Sequence, residues 1–100
     1  MIMTRTQFLT YLHVIDTMSR EHNWPRKIIP HNPQTHFNDW LKSHHDPTRF
    51  DEISASTAVE YLQQFDITTV PAQDRMFFTE AGFHRQCWLI DKMRRAGIPY

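Results

Sequence analysis

The chain has 100 residues and a neutral balance of charge, with 11 Lys and Arg against 11 Asp and Glu. A chain of this length buries roughly 65% of its unfolded surface, which predicts one domain over residues 1–100 with one modest core, and the neutral charge disfavours direct binding to nucleic acid or to an anionic membrane. The single cysteine, Cys87, excludes an internal disulfide and a zinc site built on several cysteines, and two glycines are too few for a glycine-rich phosphate loop.

The first helix is indicated by Thr4 and Gln7, which have the spacing of a capping box. Apolar residues follow at helical spacing: Phe8, Tyr11, Leu12, Ile15 and Met18. This pattern predicts a helix from about Arg5 to His22, which must end before Pro25. Polar residues interrupt the same segment throughout, so we expect neither a signal peptide nor a membrane span, and a cytoplasmic location is favoured.

A proline-rich connection follows the first helix. Between Asn23 and Phe50 the chain holds four prolines, four histidines and two tryptophans. Because proline fixes φ and removes a backbone donor, Asn23 to His31 is predicted to be a stiff, exposed connection. Asn32 and Pro33 then have the form of an N-cap and first helical residue, which predicts a second helix from Pro33 to about His44.

Similar sequence signals for the start of a helix occur in the second half of the chain. Asp46 and Pro47 indicate a short turn or a third helix, which Ser54 or Ser56 restarts. Asp66 to Pro71 is predicted to be an extended connection or at most an edge strand. A helical segment is then expected from Gln73 to Phe78.

The last helix is expected to begin at the N-cap Thr79 and to end before Gly97, with Phe83, Cys87, Ile90 and Met93 as its apolar stripe. The fold predicted from these elements is all-α: a small irregular bundle of four to five helices with a proline-rich connection after the first.

Seven histidines raise the question of a metal site. Those at the second helix, His31, His36, His44 and His45, lack the i, i+4 spacing of a zinc helix, so surface or capping roles are favoured and no metal or cofactor is expected. His84 and Cys87 could touch on the last helix, but a cysteine in an apolar stripe is expected to be inert. Trp88, on the same helix, is expected to be structural. We therefore expect no enzyme activity.

A helix-turn-helix is the alternative suggested by Ala58 to Phe77, with a break near Asp66. In that arrangement the protein would be a small DNA-binding regulator that uses Arg75, with one further basic cluster at Arg85, Lys92, Arg94 and Arg95. The missing glycine in the turn and the acidic neighbours of Arg75 weaken this alternative.

Aromatic and cationic residues lie close together around the connection and the second helix, in the mixture found at protein interfaces. The residues predicted to contact a partner are Trp24, Pro25, Arg26, Lys27, His31, Phe37 and Trp40. The alternative, equally open on the sequence, is that these aromatic side chains pack the connection onto the helices.

The bonds Trp24-Pro25 and Val70-Pro71 could be cis or isomerise slowly, which makes a prolyl isomerase a candidate partner.

A short, neutral helical chain without a cofactor motif is typical of a protein that acts by binding another protein. In overall length, neutrality and general character, the chain resembles the small phage-encoded modulators of the host RecBCD recombination nuclease, the anti-RecBCD proteins. The resemblance implies a non-enzymatic protein of the host cytoplasm that docks on a large nuclease-helicase and modulates or inhibits it. It rests on no local motif and implies no particular site residue.

Overall fold

The computed structural model describes residues 2–44 and 51–98. Two short strands and five helices follow one another in this part of the chain: β1 (Ile2–Thr4), α1 (Arg5–Glu21), α2 (Pro33–His44), β2 (Glu52–Ser54), α3 (Ala55–Leu62), a 3₁₀ helix (Ala72–Phe78) and α4 (Glu80–Arg95). The predicted all-α fold with a connection after the first helix is confirmed, and a small sheet is added to it. None of the helices described is both long and apolar enough to cross a membrane.

Helix α1 begins as the sequence predicted and ends by a mechanism that the sequence reading did not identify. Thr4 and Gln7 form the complete capping box. At the other end Asn23 adopts a positive φ of 54°. The Asn23 N–H donates to the Arg20 carbonyl at 3.3 Å and the Trp24 N–H to the Ser19 carbonyl at 2.9 Å, which is a Schellman motif. Asparagine supplies the left-handed residue that glycine usually provides.

Side-chain caps also begin the later helices. Asn32 accepts a hydrogen bond from the Thr35 N–H at 3.3 Å at the start of α2. Ser54, one of the two predicted restart positions, caps α3 through the Thr57 N–H at 3.3 Å. The expected start signal at Asp46 and Pro47 lies outside the described residues.

Helix α4 has the predicted N-cap, Thr79, and the predicted glycine at its end, Gly97, with a φ of 77°. The Gly97 N–H donates to the Arg94 carbonyl and the Ile98 N–H to the Met93 carbonyl, which forms a second Schellman motif. The helical segment expected from Gln73 is a 3₁₀ helix. No strand forms between Asp66 and Pro71, because Asp66 instead accepts hydrogen bonds from the backbone and hydroxyl of Thr68 in a turn.

The sheet joins the beginning of the chain to its middle. Strands β1 and β2 pair antiparallel, with Met3 opposite Ile53, and both of these side chains are buried. Each strand immediately precedes a helix, so the antiparallel pairing places the N-termini of α1 and α3 at opposite ends of the sheet.

Tyr61 of α3 lies at the centre of an aromatic cluster within the core. Its ring is 4.8 Å from that of Phe37 and 5.2 Å from that of Trp40, in edge-to-face arrangements, and 6.0 Å from that of Phe8. Helices α1, α2 and α3 therefore meet through aromatic side chains. Helix α4 packs against α3 and the 3₁₀ helix.

Candidate binding groove

The predicted contact residues separate into a buried and an exposed group. Phe37 is fully buried, and Trp24 and Trp40 are each only 8% exposed. The expectation that these three aromatic residues form an exposed docking face is therefore wrong. Their burial agrees with the alternative, in which these side chains pack the connection and α2 onto the remaining helices.

The buried Trp24 is fixed by a carboxylate. Its indole Nε1 donates to Asp74 Oδ2 at 2.8 Å, and the same oxygen lies 2.8 Å from His22 Nδ1. Asp74 is 3% exposed and lies on the 3₁₀ helix. Burial acts to raise the pKa of this carboxyl, but the hydrogen bonds from His22 and Trp24 and the charge of His22 outweigh it, so that the pKa lies below its ordinary value.

A second anchor holds the connection further along. Ile29 is 2% exposed. Between these anchors Pro25, Arg26 and Lys27 are exposed, because the chain is fixed at Trp24 and Ile29 and arches between them. The exposed residues of the predicted contact set thus occupy a short, braced arch of chain.

This arch and the polar face of α1 enclose a groove of about 660 Å³, which we call the basic groove. Its lining residues are His13, Asp16, Ser19, Arg20, Asn23, Trp24, Arg26, Lys27, Ile29, Pro30, His31 and Pro33. Four of the seven predicted contact residues are among them: Trp24, Arg26, Lys27 and His31. The groove thus brings together the cationic part of the predicted contact set.

The electrostatics of the basic groove are set by three cations and one carboxylate. Asp16 lies 2.9 Å from Arg20 and 3.8 Å from Lys27, so it bridges α1 and the connection. The Lys27 ammonium also donates to His31 Nδ1 at 3.4 Å, and Arg26 lies 3.8 Å from Asp66. The cation of each of these ion pairs is at least half exposed, so the pairs are weak and the groove carries net positive charge for an anionic ligand.

Sequence reasoning missed the α1 wall of the groove. His13, Asp16 and Arg20 follow one another at i, i+3 and i+7, which places them on one face of α1 away from the buried stripe. The spacing alone could have shown that these three side chains share one face of α1. A polar helix face usually contacts only solvent, however, and no local sequence pattern shows that the connection passes over this one.

Several histidines have structural partners. His36 Nδ1 lies 2.9 Å from the Tyr61 hydroxyl, whose pKa is raised by burial. His44 lies 3.1 Å from the Trp40 carbonyl, and His84 lies 3.2 Å from Glu80. Within residues 2–44 and 51–98 no group of three or more His, Cys, Asp or Glu side chains is placed to hold a metal ion; His45 lies outside that range.

Two other sequence hypotheses can be compared with the structure. Cys87 is buried and its pKa is raised by burial, as expected for an inert core thiol. The helix-turn-helix is wrong, because its second helix is the 3₁₀ helix. Arg75, its expected DNA-contacting residue, instead donates to the carbonyls of Val70 and Thr68 at 2.9 and 3.1 Å.

The peptide bonds in the described residues are all trans, including those before Pro25 and Pro71. A prolyl isomerase as partner stays a prediction from the sequence.

Comparison of the chain with models of known families, with curated proteins and with solved structures gave no significant match.

Proposed function

We propose that this protein acts by binding another protein, and that the basic groove receives an acidic segment of that partner. The observation that carries the proposal is the coincidence of three cations, a buried tryptophan and a groove of about 660 Å³ on one braced surface. Clefts of about 300–1,000 Å³ are the size that encloses a ligand, and complementary charge supplies both attraction and register.

Preorganisation supports this proposal. Trp24 is held by Asp74 at 2.8 Å, and Ile29 is buried in the core. An acidic segment that enters the groove therefore meets Arg26 and Lys27 on a connection that is already ordered. Less conformational entropy is lost on binding than if the connection were free to move.

The partner class that we propose is a host protein complex, with a RecBCD-type nuclease-helicase as the first to be tested because of the resemblance noted above. The effect on that complex would be modulation or inhibition by docking, without catalysis by this chain. The inert environment of Cys87, the only thiol, agrees with such a role.

The test is charge reversal in the groove with a matched control outside it. Lys27→Glu and Arg26→Glu each replace an exposed cation of the arch, and Lys42→Glu makes the same change on an exposed position of α2. We expect the two groove variants each to weaken binding to purified RecBCD about tenfold or more, measured by biolayer interferometry, and the control to change it little.

Capture from host lysate followed by mass spectrometry, with the same three variants, extends the test to other partners, including a prolyl isomerase. Equal capture by the wild type and by both groove variants would remove the groove from the proposal. Alanine at Trp24 or Trp40 is a poor probe, because truncating a buried tryptophan costs about 3–5 kcal/mol of stability.

A further inference from the structure

Two cations of the basic groove approach the same carboxylate from different elements of the fold. Arg20 of α1 lies with its Nη2 2.9 Å from Asp16 Oδ2, and Lys27 of the connection lies with its Nζ 3.8 Å from Asp16 Oδ1. Each oxygen of the carboxylate thus faces one cation. The two walls of the groove therefore form a subsite for one carboxylate, and Asp16 occupies it.

Asp16 can leave this subsite at low cost. The side chains of Arg20 and Lys27 are 68% and 50% exposed, and ion pairs with such exposed cations are weak. The Asp16 side chain is itself 20% exposed, so its carboxylate keeps access to water when it turns away. His31 Nδ1 accepts a hydrogen bond from the Lys27 ammonium at 3.4 Å, which holds the ammonium from its other side. A second carboxylate can therefore replace Asp16 while the cations stay in place.

The charge of Asp16 also opposes the entry of an acidic ligand. Among the described residues that line the groove, Asp16 is the only acid and is outnumbered by three cations. With the histidines neutral, the lining carries two net positive charges rather than three. A ligand carboxylate that approaches Arg20 is repelled by Asp16 unless Asp16 turns away. The affinity for an acidic segment is therefore lower than the cations alone would give.

We propose that Asp16 occupies the subsite between Arg20 and Lys27 that a carboxylate of the bound acidic segment takes over. The inference rests on the proposed function, because it concerns the same groove and the same class of ligand. On binding, the ligand carboxylate accepts hydrogen bonds from both cations, and Asp16 turns towards solvent. The groove thereby selects segments whose carboxylates compete successfully with its own, and it rejects weakly acidic ones.

Binding of a fluorescein-labelled peptide of alternating glutamate and glycine, measured by fluorescence anisotropy at low ionic strength, tests this proposal. Asp16→Asn removes the charge but keeps the size of the side chain and one acceptor oxygen, so circular dichroism should stay helical. We expect this variant to bind the peptide about three to ten times more tightly than the wild type. Lys27→Glu should bind it about tenfold more weakly, because it places a carboxylate where the ligand needs a cation.

The matched control lies on a separate surface, which we call the Trp88 face. Trp88 on the outer side of α4 is 53% exposed, so the expectation that it is structural is wrong. A cleft of about 240 Å³ beside it is lined in part by Ile2 and Asp91. Asp91 pairs with Arg95 at 3.1 Å, with the same i, i+4 spacing as the pair on α1. Asp91→Asn therefore changes the charge and removes a helical ion pair in the same way, and it should alter peptide affinity by less than about twofold.

A double-mutant cycle with Arg20→Gln separates exchange at the subsite from repulsion at a distance. In the wild type Arg20 gives up Asp16 when it binds the peptide, so Arg20→Gln should weaken binding only about twofold. In the Asp16→Asn background Arg20 gives up no carboxylate, so the same change should weaken binding about tenfold. Equal factors in both backgrounds would mean that Asp16 acts on the peptide only at a distance, and they would overturn the inference.

Failure of this inference and failure of the proposed function give different results. If Asp16→Asn binds the peptide no better than the wild type while Lys27→Glu still binds it less well, the inference is overturned and the proposed function stands. Absence of binding by both the wild type and Asp16→Asn also overturns the inference, and the RecBCD measurement then decides the proposed function. Equal peptide binding by the wild type and Lys27→Glu would remove the groove as the binding site, and both proposals with it.

Discussion

Asp74 is the residue that holds the connection in place. A buried carboxylate is costly without partners, and here one oxygen serves both the Trp24 indole and the His22 ring at 2.8 Å. These hydrogen bonds join the end of α1 to the 3₁₀ helix across about fifty residues of chain. The position of the arch above the basic groove therefore depends on a side chain that is far away in sequence.

Replacement of Asp74 by alanine should destabilise the protein by about 1–3 kcal/mol, because it leaves the buried indole N–H of Trp24 without its acceptor. Urea denaturation followed by circular dichroism measures the change. Asp39→Ala, at an exposed position of α2, is the matched control and should stay within about 0.5 kcal/mol of the wild type.

A double-mutant cycle with Trp24→Phe isolates this hydrogen bond. In the Trp24→Phe background the indole donor is absent, so Asp74→Ala should cost less than in the wild type. Equal costs in both backgrounds would show that the Asp74 carboxylate does not act through Trp24.

The same carboxylate predicts a dependence of stability on acid. The pKa of Asp74 in the folded protein lies below the ordinary value of 3.8. The ionised carboxylate therefore contributes to the free energy of unfolding at pH values above 3.8, and this contribution is lost as the pH falls through the pKa of the folded state. The stability difference between the wild type and Asp74→Asn should therefore shrink as the pH is lowered from about 5 to about 2.5. Urea titrations of both proteins at several pH values measure it; a difference that stays constant with pH would contradict the lowered pKa.

At the residue scale, the sequence could identify the aromatic and cationic residues of the connection but could not assign their exposure. Trp24 and Trp88 have similar local surroundings, each near basic residues. Trp24 is buried because its indole donates a hydrogen bond to Asp74 and its ring packs against Phe78. Trp88 is exposed because it lies on the outer side of α4. That difference comes from distant parts of the chain, which a local pattern does not contain.

At the scale of elements, helix starts were predictable because their determinants lie within four residues. Thr4, Asn32, Ser54 and Thr79 cap the helices at the places where the pattern put them. The sheet was not predictable in the same way. Each strand has only three residues and no local alternation long enough to read, and its partner is about fifty residues away.

Gly82 marks the place where α4 crosses the 3₁₀ helix. A Cβ atom there would lie 2.9 Å from the Phe77 Cα and still closer to the Met76 carbonyl oxygen. Since both neighbours are backbone, neither can move aside without displacing the helix. Two elements approach this closely only because residue 82 has no side chain.

Gly82→Ala should therefore destabilise the protein, although alanine is favoured over glycine in an exposed helix by about 1 kcal/mol. The enforced backbone shift is expected to outweigh that gain and to leave a net loss of about 1–3 kcal/mol in urea denaturation. Ala81→Ser, at the preceding exposed residue, should change stability by less than about 0.5 kcal/mol. A stabilised Gly82→Ala variant would contradict this close crossing.

At the scale of the whole molecule, one small core supports two separate surfaces. The basic groove uses α1 and the connection, whereas the Trp88 face uses α4 with Ile2 at its edge. The two surfaces share no lining residue. A partner bound in the basic groove would therefore leave Trp88 on α4 exposed.

The three tryptophans allow the whole arrangement to be tested by fluorescence. Trp24 and Trp40 are each 8% exposed and Trp88 is 53% exposed, so at low micromolar concentration acrylamide should quench mainly Trp88. Trp88→Phe should remove most of the quenchable emission and shift the remaining spectrum to the blue, whereas a Trp40→Phe control should leave the quenchable part in place. Equal quenching of the wild type and Trp88→Phe would mean that Trp24 or Trp40 is open to solvent. That result would contradict the burial of these two tryptophans beside the exposed cations of the connection.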